Sequence, residues 1–262
     1  MKSKLLLLTG VALATLTACG GGSQSTQQAP APAPAPAPAE PAAPANDYVG
    51  GPVTDGGTVS GTVSYTGTEA DATLTITKDK ESCALHGETR PAEGLVVAGG
   101  TLANVVVYID GIKKGKEFAP GTVTLDNSDC HFVPHVLVGW LGGKVAAKNS
   151  DPILHNTNLS FVDNGKQIGN IALPNQGMTV EKDLRRPGMV AVKCDAHEWM
   201  SAHMYVSNTP YAIVTGADGK FSFDQVPAGT YTVKFWHEKL GEKTGSVTVT
   251  AAGTATADVA YP

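Results

Sequence analysis

From residue 58 to residue 261 the chain repeats one local pattern. A short run rich in Val, Thr, Ile, Tyr or Phe is closed by Gly, Pro, Asn or Asp before it reaches helical length. The runs include TVSGTVSY (58–65), ATLTITK (72–78), NVVVYID (104–110), GTVTLDN (121–127), HVLVGW (135–140), KVAAKN (144–149) and MTVEKDL (178–184). They continue with GMVAVKC (188–194), HMYVSN (203–208), YAIVTG (211–216), KFSFDQV (220–226), TYTVKFWH (230–237), GSVTVTA (245–251) and ATADVAY (255–261). Such side chains suit a pleated, half-buried surface, and no long stretch carries the apolar period of a helix. The pattern predicts an all-β protein built of sandwiches rather than parallel α/β layers, with a hairpin turn at ADGK (217–220). A net charge of −5 and the lack of a basic block argue against nucleic acid as a partner.

The first nineteen residues read differently. Lys2 and Lys4 precede an apolar run from Leu5 to about Leu16, too short to span a bilayer comfortably, which predicts a signal peptide. The run ends in Leu16-Thr17-Ala18-Cys19, which resembles the bacterial lipobox, and the resemblance implies lipidation at Cys19 and a membrane anchor. Gly20 follows in place of the Asp that retains Gram-negative lipoproteins in the inner membrane, which implies the outer membrane, facing the periplasm or the cell surface. Residues 20–47 alternate Ala and Pro, favour polyproline II and lack core-forming side chains, so they are expected to form a disordered linker or stalk.

Four cysteines are present. With Cys19 given to lipid, three remain in an oxidising compartment, where an unpaired thiol is unusual. A Cys83–Cys130 bridge leaves Cys194 free. A second arrangement uses Cys83, His86, Cys130 and His131 as a metal site, since both cysteines have a histidine nearby.

The free cysteine falls in VKCDAHEWMSAHM (192–204), which crowds Cys194, His197, His203, Met200 and Met204 into one loop and the start of a strand. Singly, each reads blandly: a buried small hydrophobe, a structural histidine, core-filling methionine. Upstream come Phe132-x-Pro134, an Asn149-Ser150-Asp151 corner and His155-Asn156; Gly177 and the Pro187-Gly188 turn lead into the strand that delivers Cys194. In combination these features resemble the cupredoxins, the small blue-copper β-sandwiches, and the short loop is most similar to that of amicyanin-type members. The resemblance covers residues 117–207 and implies a Greek-key sandwich holding one type 1 copper ion. It implies His155, Cys194, His197 and Met200 as ligands, with Asn156 bracing the ligand loop. The chemistry agrees: thiolate and thioether favour Cu(I), imidazole accommodates Cu(II), and a site between those preferences cycles with little rearrangement. Zinc takes Cys and His as well, but prefers a harder fourth ligand than Met. His203 and Met204 lie on opposite faces of the next strand, so at most one of them points at the metal. Trp199 either shields the ion, stacks on a partner or packs ordinarily. His131 and His135 read as surface histidines, with an auxiliary site as the alternative.

Asp218-Gly219 before KFSF, then VPAGTY (226–231) and a further strand, resemble the carboxypeptidase regulatory-like, transthyretin-type sandwich, which shares its fold with starch-binding-like domains and is non-catalytic. GGTVSGTVSYTG (56–67) and ANVVVYIDG (103–111) are similar to its opening strands. The resemblance implies that residues 48–116 belong to the same sandwich as residues 208–262, with the cupredoxin-like part inserted between them. His237, in Trp236-His237-Glu238, reads as a surface residue.

The expectation is an extracytoplasmic, lipid-anchored copper protein that is not an enzyme and carries single electrons between redox proteins of the cell envelope. Copper delivery without a redox partner is one alternative, and a carbohydrate- or surface-binding module is another. Motifs for covalent haem, binuclear copper, zinc hydrolysis and a nucleophilic serine elbow are absent from the sequence.

Overall fold

A computed structural model describes residues 47–262. The predicted signal peptide, Cys19 and almost all of the Ala-Pro segment lie outside the described residues. Among the described residues no helix is long and apolar enough to cross a membrane, and the one α-helix is a single turn, Lys80–Cys83. The described chain is all-β, arranged as two sandwiches.

The first sandwich faces a four-stranded sheet against a five-stranded one. The four-stranded sheet runs in the order His131–Val133, Thr122–Ser128, Lys144–Asn149, Thr179–Asp183, and the five-stranded sheet in the order Val136–Trp140, Ser201–Ser207, Gly188–Lys193, His155–Phe161, Gln167–Leu173. The chain changes sheets between Val133 and Val136, at the Phe-x-Pro segment. This crossing order is that of a Greek-key sandwich. Its core joins Leu125, Phe132, Val145, Leu159, Leu184, Val190, Val192 and Met204. Fully burying each such side chain is worth roughly 1.5–3 kcal/mol.

The second sandwich draws strands from both ends of the described chain. Gly57–Tyr65 pairs antiparallel with Lys220–Val226 and parallel with Thr254–Thr256 and Val259–Tyr261. Val106–Asp110 lies between Ala212–Val214 and Gly229–His237, and Gly241–Val249 closes that sheet. Tyr211, Phe221, Phe223, Phe235 and Tyr261 fill the core. The buried Tyr211 hydroxyl accepts from Lys116 N and donates to Gln225 O, so burying its polar end leaves no orphan. At the ADGK turn Gly219 has φ +65, and a Cβ there would meet Val63 O at 2.4 Å. Only glycine fits that approach.

Three strands of the first sandwich escaped the sequence pattern: the three-residue His131–Val133, and the longer His155–Phe161 and Gln167–Leu173. Asn156, Asn158 and Asn170 interrupt the apolar alternation of the longer two. All three donate to the Asp195 carboxylate at 2.7–3.2 Å, so a side-chain network offsets their polarity. ATADVAY, read as one strand, is two, Thr254–Thr256 and Val259–Tyr261. Of ATLTITK only Thr73–Thr75 is strand, and it pairs with Thr89–Pro91. That hairpin and the Lys80–Cys83 turn form an excursion from the second sandwich. Ile76 and Cys83 of this excursion bury into the core of the first sandwich.

Candidate metal centre

Three strand ends converge on Cys194. His155 opens the strand His155–Phe161, Cys194 follows the last residue of Gly188–Lys193, and His197 and Met200 occupy the loop before Ser201–Ser207. The loop closes on itself through Met200 N to His197 O at 2.9 Å. His155, Cys194, His197 and Met200 are each at most 2% exposed.

The two imidazoles present the same edge to the sulfur. Cys194 Sγ lies 3.9 Å from His155 Nδ1 and 3.6 Å from His197 Nδ1. Each Nε2 meets a carboxylate: His155 with Asp151 Oδ2 at 2.9 Å, His197 with Asp79 Oδ2 at 2.8 Å. An ionised carboxylate only accepts, so each Nε2 carries a proton, and it is Nδ1 that faces the sulfur. Metal bonds of about 2.3 Å to sulfur and 2.0 Å to nitrogen, spread in a trigonal plane, separate S and N by about 3.7 Å. Both sulfur–nitrogen distances are close to that spacing, and one thiolate with two imidazoles is a donor set that suits copper.

Charge is arranged to match. Burial opposes ionisation of the Cys194 thiol, but hydrogen-bond contacts with His155 and His197 draw its pKa down to about 6. Burial likewise opposes the charged form of His155, yet Asp151 and Cys194 lift it to about 9. Near neutrality the pair is thiolate and imidazolium, and a cation held there would have to displace the imidazolium proton. Burial works against the Asp151 carboxylate too, but His155 and the backbone N–H of Cys130 and Asp129 hold it below the usual range.

Asn156 locks the loop. Its Oδ1 accepts from Asp195 N at 2.6 Å and Ala196 N at 3.2 Å, and it is 3.3 Å from Cys194 Sγ. Trp199 packs its ring 5.0 Å from that of His197 and donates from Nε1 to Cys130 O.

Sequence reasoning missed the cover over His197. Cys83 and Cys130 form a disulfide that ties the 73–91 excursion to the first sandwich, and Arg90 pairs with Asp129 beside it at 3.1 Å. The alternative metal site of Cys83, His86, Cys130 and His131 is therefore excluded, because both thiols are consumed and His131 Nδ1 turns to Arg90. Asp79 precedes the helical turn in the left-handed region, φ 47, and makes no side-chain cap to it; the carboxylate points to His197 instead. Asp tolerates that backbone region better than most residues. Nothing in the sequence marks Asp79, which is 118 positions from its partner. Asp151 was closer to view, four residues before His155.

Of the remaining candidates, Met204 faces the core of the first sandwich and His203 faces away from Cys194. His131 and His135 do not join in one cluster. His135 is buried, not a surface residue, and binds Glu238. His237 is also fully buried, because its Nδ1 accepts from Lys239 N and Leu240 N and fastens the turn that follows it.

Fold and donors together define a two-sandwich β protein with a buried candidate centre of one thiol and two imidazoles. Residues 201–262 match the family model described as carboxypeptidase regulatory-like domain. That match begins in strand Ser201–Ser207, which is hydrogen-bonded into the first sandwich. The chain is similar to a Cu-containing nitrite reductase (NirK) from Thermus scotoductus SA-01, at 21% identity over 35% of this chain and 24% of that one, TM-score 0.29. It is similar to a purple cupredoxin from Nitrosopumilus maritimus, at 24% identity over 32% of this chain and 99% of that one, TM-score 0.28. Amicyanin from Paracoccus versutus is similar at 12% identity, over 33% of this chain and 81% of that one, TM-score 0.29. No curated protein sequence matches the chain.

Proposed function

We propose that this protein is an extracytoplasmic single-electron carrier that holds one copper ion at His155, Cys194 and His197, with Met200 as a weak fourth donor. The observation that carries the reading is the pair of Nδ1 atoms 3.9 and 3.6 Å from one buried sulfur, each imidazole held from behind by a carboxylate. Copper bound there supplies a one-electron couple between Cu(I) and Cu(II). The protein's part is rigidity. Asn156 and the Asp195 network fix the loop, Asp151 and Asp79 fix the rings, and burial excludes water. The donors therefore keep one geometry in both oxidation states. No substrate bond is made or broken, so the role is carriage rather than catalysis. Release to an acceptor needs an accessible ligand edge, whereas His197 is sealed under Asp79, which favours carriage over delivery. Anchoring through lipid on Cys19, an outer-membrane location and a redox protein of the envelope as partner complete the proposal.

Titrating the full chain with copper while recording visible and electron-spin spectra tests it. The expected result is one equivalent with an intense thiolate-to-Cu(II) band and a reversible potential. A colourless Cu(II) adduct, or a band that survives Cys194→Ser, overturns it.

A further inference from the structure

Strand Ser201–Ser207 alternates its side chains between two environments. Ala202 and Met204 point into the first sandwich, and His203 and Tyr205 meet the second. Tyr205 stacks on Tyr108 with centroids 4.4 Å apart. The His203 ring lies 5.1 Å from that of Trp236. His135, just ahead of the neighbouring strand, accepts the backbone N–H of His203 on its carbonyl and turns its ring to the same junction. Glu238, from the far end of strand Gly229–His237 in the second sandwich, faces both imidazoles.

This cluster is unfinished as a hydrogen-bonded group. His135 Nε2 is in hydrogen-bond contact with Glu238 Oε1. His203 Nδ1 is buried without a hydrogen-bond partner, 3.6 Å from Glu238 Oε2. That gap is too long for a hydrogen bond. It is close to the edge of a metal tetrahedron, which is about 3.4 Å for bonds of about 2.1 Å to nitrogen and oxygen. One ligand atom from each of the three residues lies within 4.8 Å of the others. Burial lowers the pKa of His203, which favours the neutral, metal-binding imidazole. Glu238 stays below the usual carboxyl range despite burial, because His135 bonds to it and His203 and His237 face it. The side chains of His203 and Glu238 keep 18% and 15% exposure, which leaves an approach for solvent and ions.

We propose that His135, His203 and Glu238 form a second cation site for a borderline divalent transition metal such as Zn2+, one that clamps the two sandwiches together. Two imidazoles and a carboxylate are a ligand set zinc accepts, with water completing four-coordination. The site holds no thiolate and no thioether, so it does not share the preference for Cu(I) of the Cys194 cluster. On binding, the His135 Nε2 proton leaves to solvent or moves to Nδ1, and the ion takes the place of the His135–Glu238 hydrogen bond and supplies the missing partner of His203 Nδ1. It gives the junction a tie that Tyr108 stacking on Tyr205 alone does not.

Equilibrium dialysis of the full chain against Zn2+, with and without prior loading with one equivalent of Cu(I), tests the site. The expected result is one more zinc per chain in wild type than in Glu238→Gln or His203→Ala. That difference of one stands whether or not the Cys194 cluster takes copper, so failure of the copper reading leaves it intact. Ring nitrogen resonances of His135 and His203 in the unaltered chain are expected to shift with the same equivalent, which covers a variant that fails to fold. Equal zinc counts in wild type and folded variants, or His135 and His203 resonances that stay put at zinc saturation, overturn the proposal.

Discussion

The two histidine clusters are made of similar parts and differ in how the carboxylates are used. At Cys194 each imidazole has its own acid, Asp151 or Asp79, on the far nitrogen, and the near nitrogens face a sulfur. At the junction two imidazoles share one acid, Glu238, which faces inward with them. In the first case the acids orient the donors; in the second the acid is a donor. The difference sets ligand softness, and the softer, thiolate-bearing cluster is the one that suits Cu(I). It also sets rigidity: the first cluster is fixed before any ion arrives, and the second has a hydrogen bond to exchange.

The sharpest way to break this contrast is Cys194→Ser. It is expected to abolish the thiolate charge-transfer band outright and leave zinc uptake at Glu238 unchanged, read by visible absorption and dialysis on one sample. Next in size is the disulfide. Cys83→Ala with Cys130→Ala is expected to lower unfolding stability by about 2–4 kcal/mol in denaturant titration. It is also expected to speed copper exchange at His197 while the junction keeps its zinc affinity. Asp79→Asn keeps the shape of the cover but weakens the hold on His197, and copper affinity is expected to drop about 10–100-fold in competition titrations. The smallest effect is a pH slope. Cys194, at about 6, is already ionised near neutrality, whereas His155, at about 9, still carries the proton that a cation must displace. Copper affinity is therefore expected to rise about tenfold per pH unit from 6 until the slope flattens near 9, as one proton leaves per ion bound. A flat profile across that range shows that His155 is not displaced, and the copper reading loses a ligand.

Much of the first cluster was legible because it is local. Cys194, His197 and Met200 share one loop, and His155-Asn156 is a recognisable pair at a strand start. The all-β class followed from runs too short and too β-branched to be helices. What escaped notice depends on tertiary packing. Asp79 reaches His197 only because a disulfide and Arg90 fold an excursion over the loop. Glu238 meets His135 across 103 positions because two sheets stack there. Asn158 and Asn170 break the apolar alternation of their strands, and only the folded chain gives them a common acceptor in Asp195. Polar side chains satisfied at long range leave no periodic trace in a sequence.

The alternation along Ser201–Ser207 makes this strand a shared ruler. Met200 ends the loop on one side of it, and His203 serves the other cluster three residues later. Deleting or adding a single amino acid between them would invert every following side chain, sending imidazole into grease and thioether into the seam. Chain length between Met200 and Tyr205 should therefore tolerate no variation in related proteins, even where the identity of Ser201 drifts.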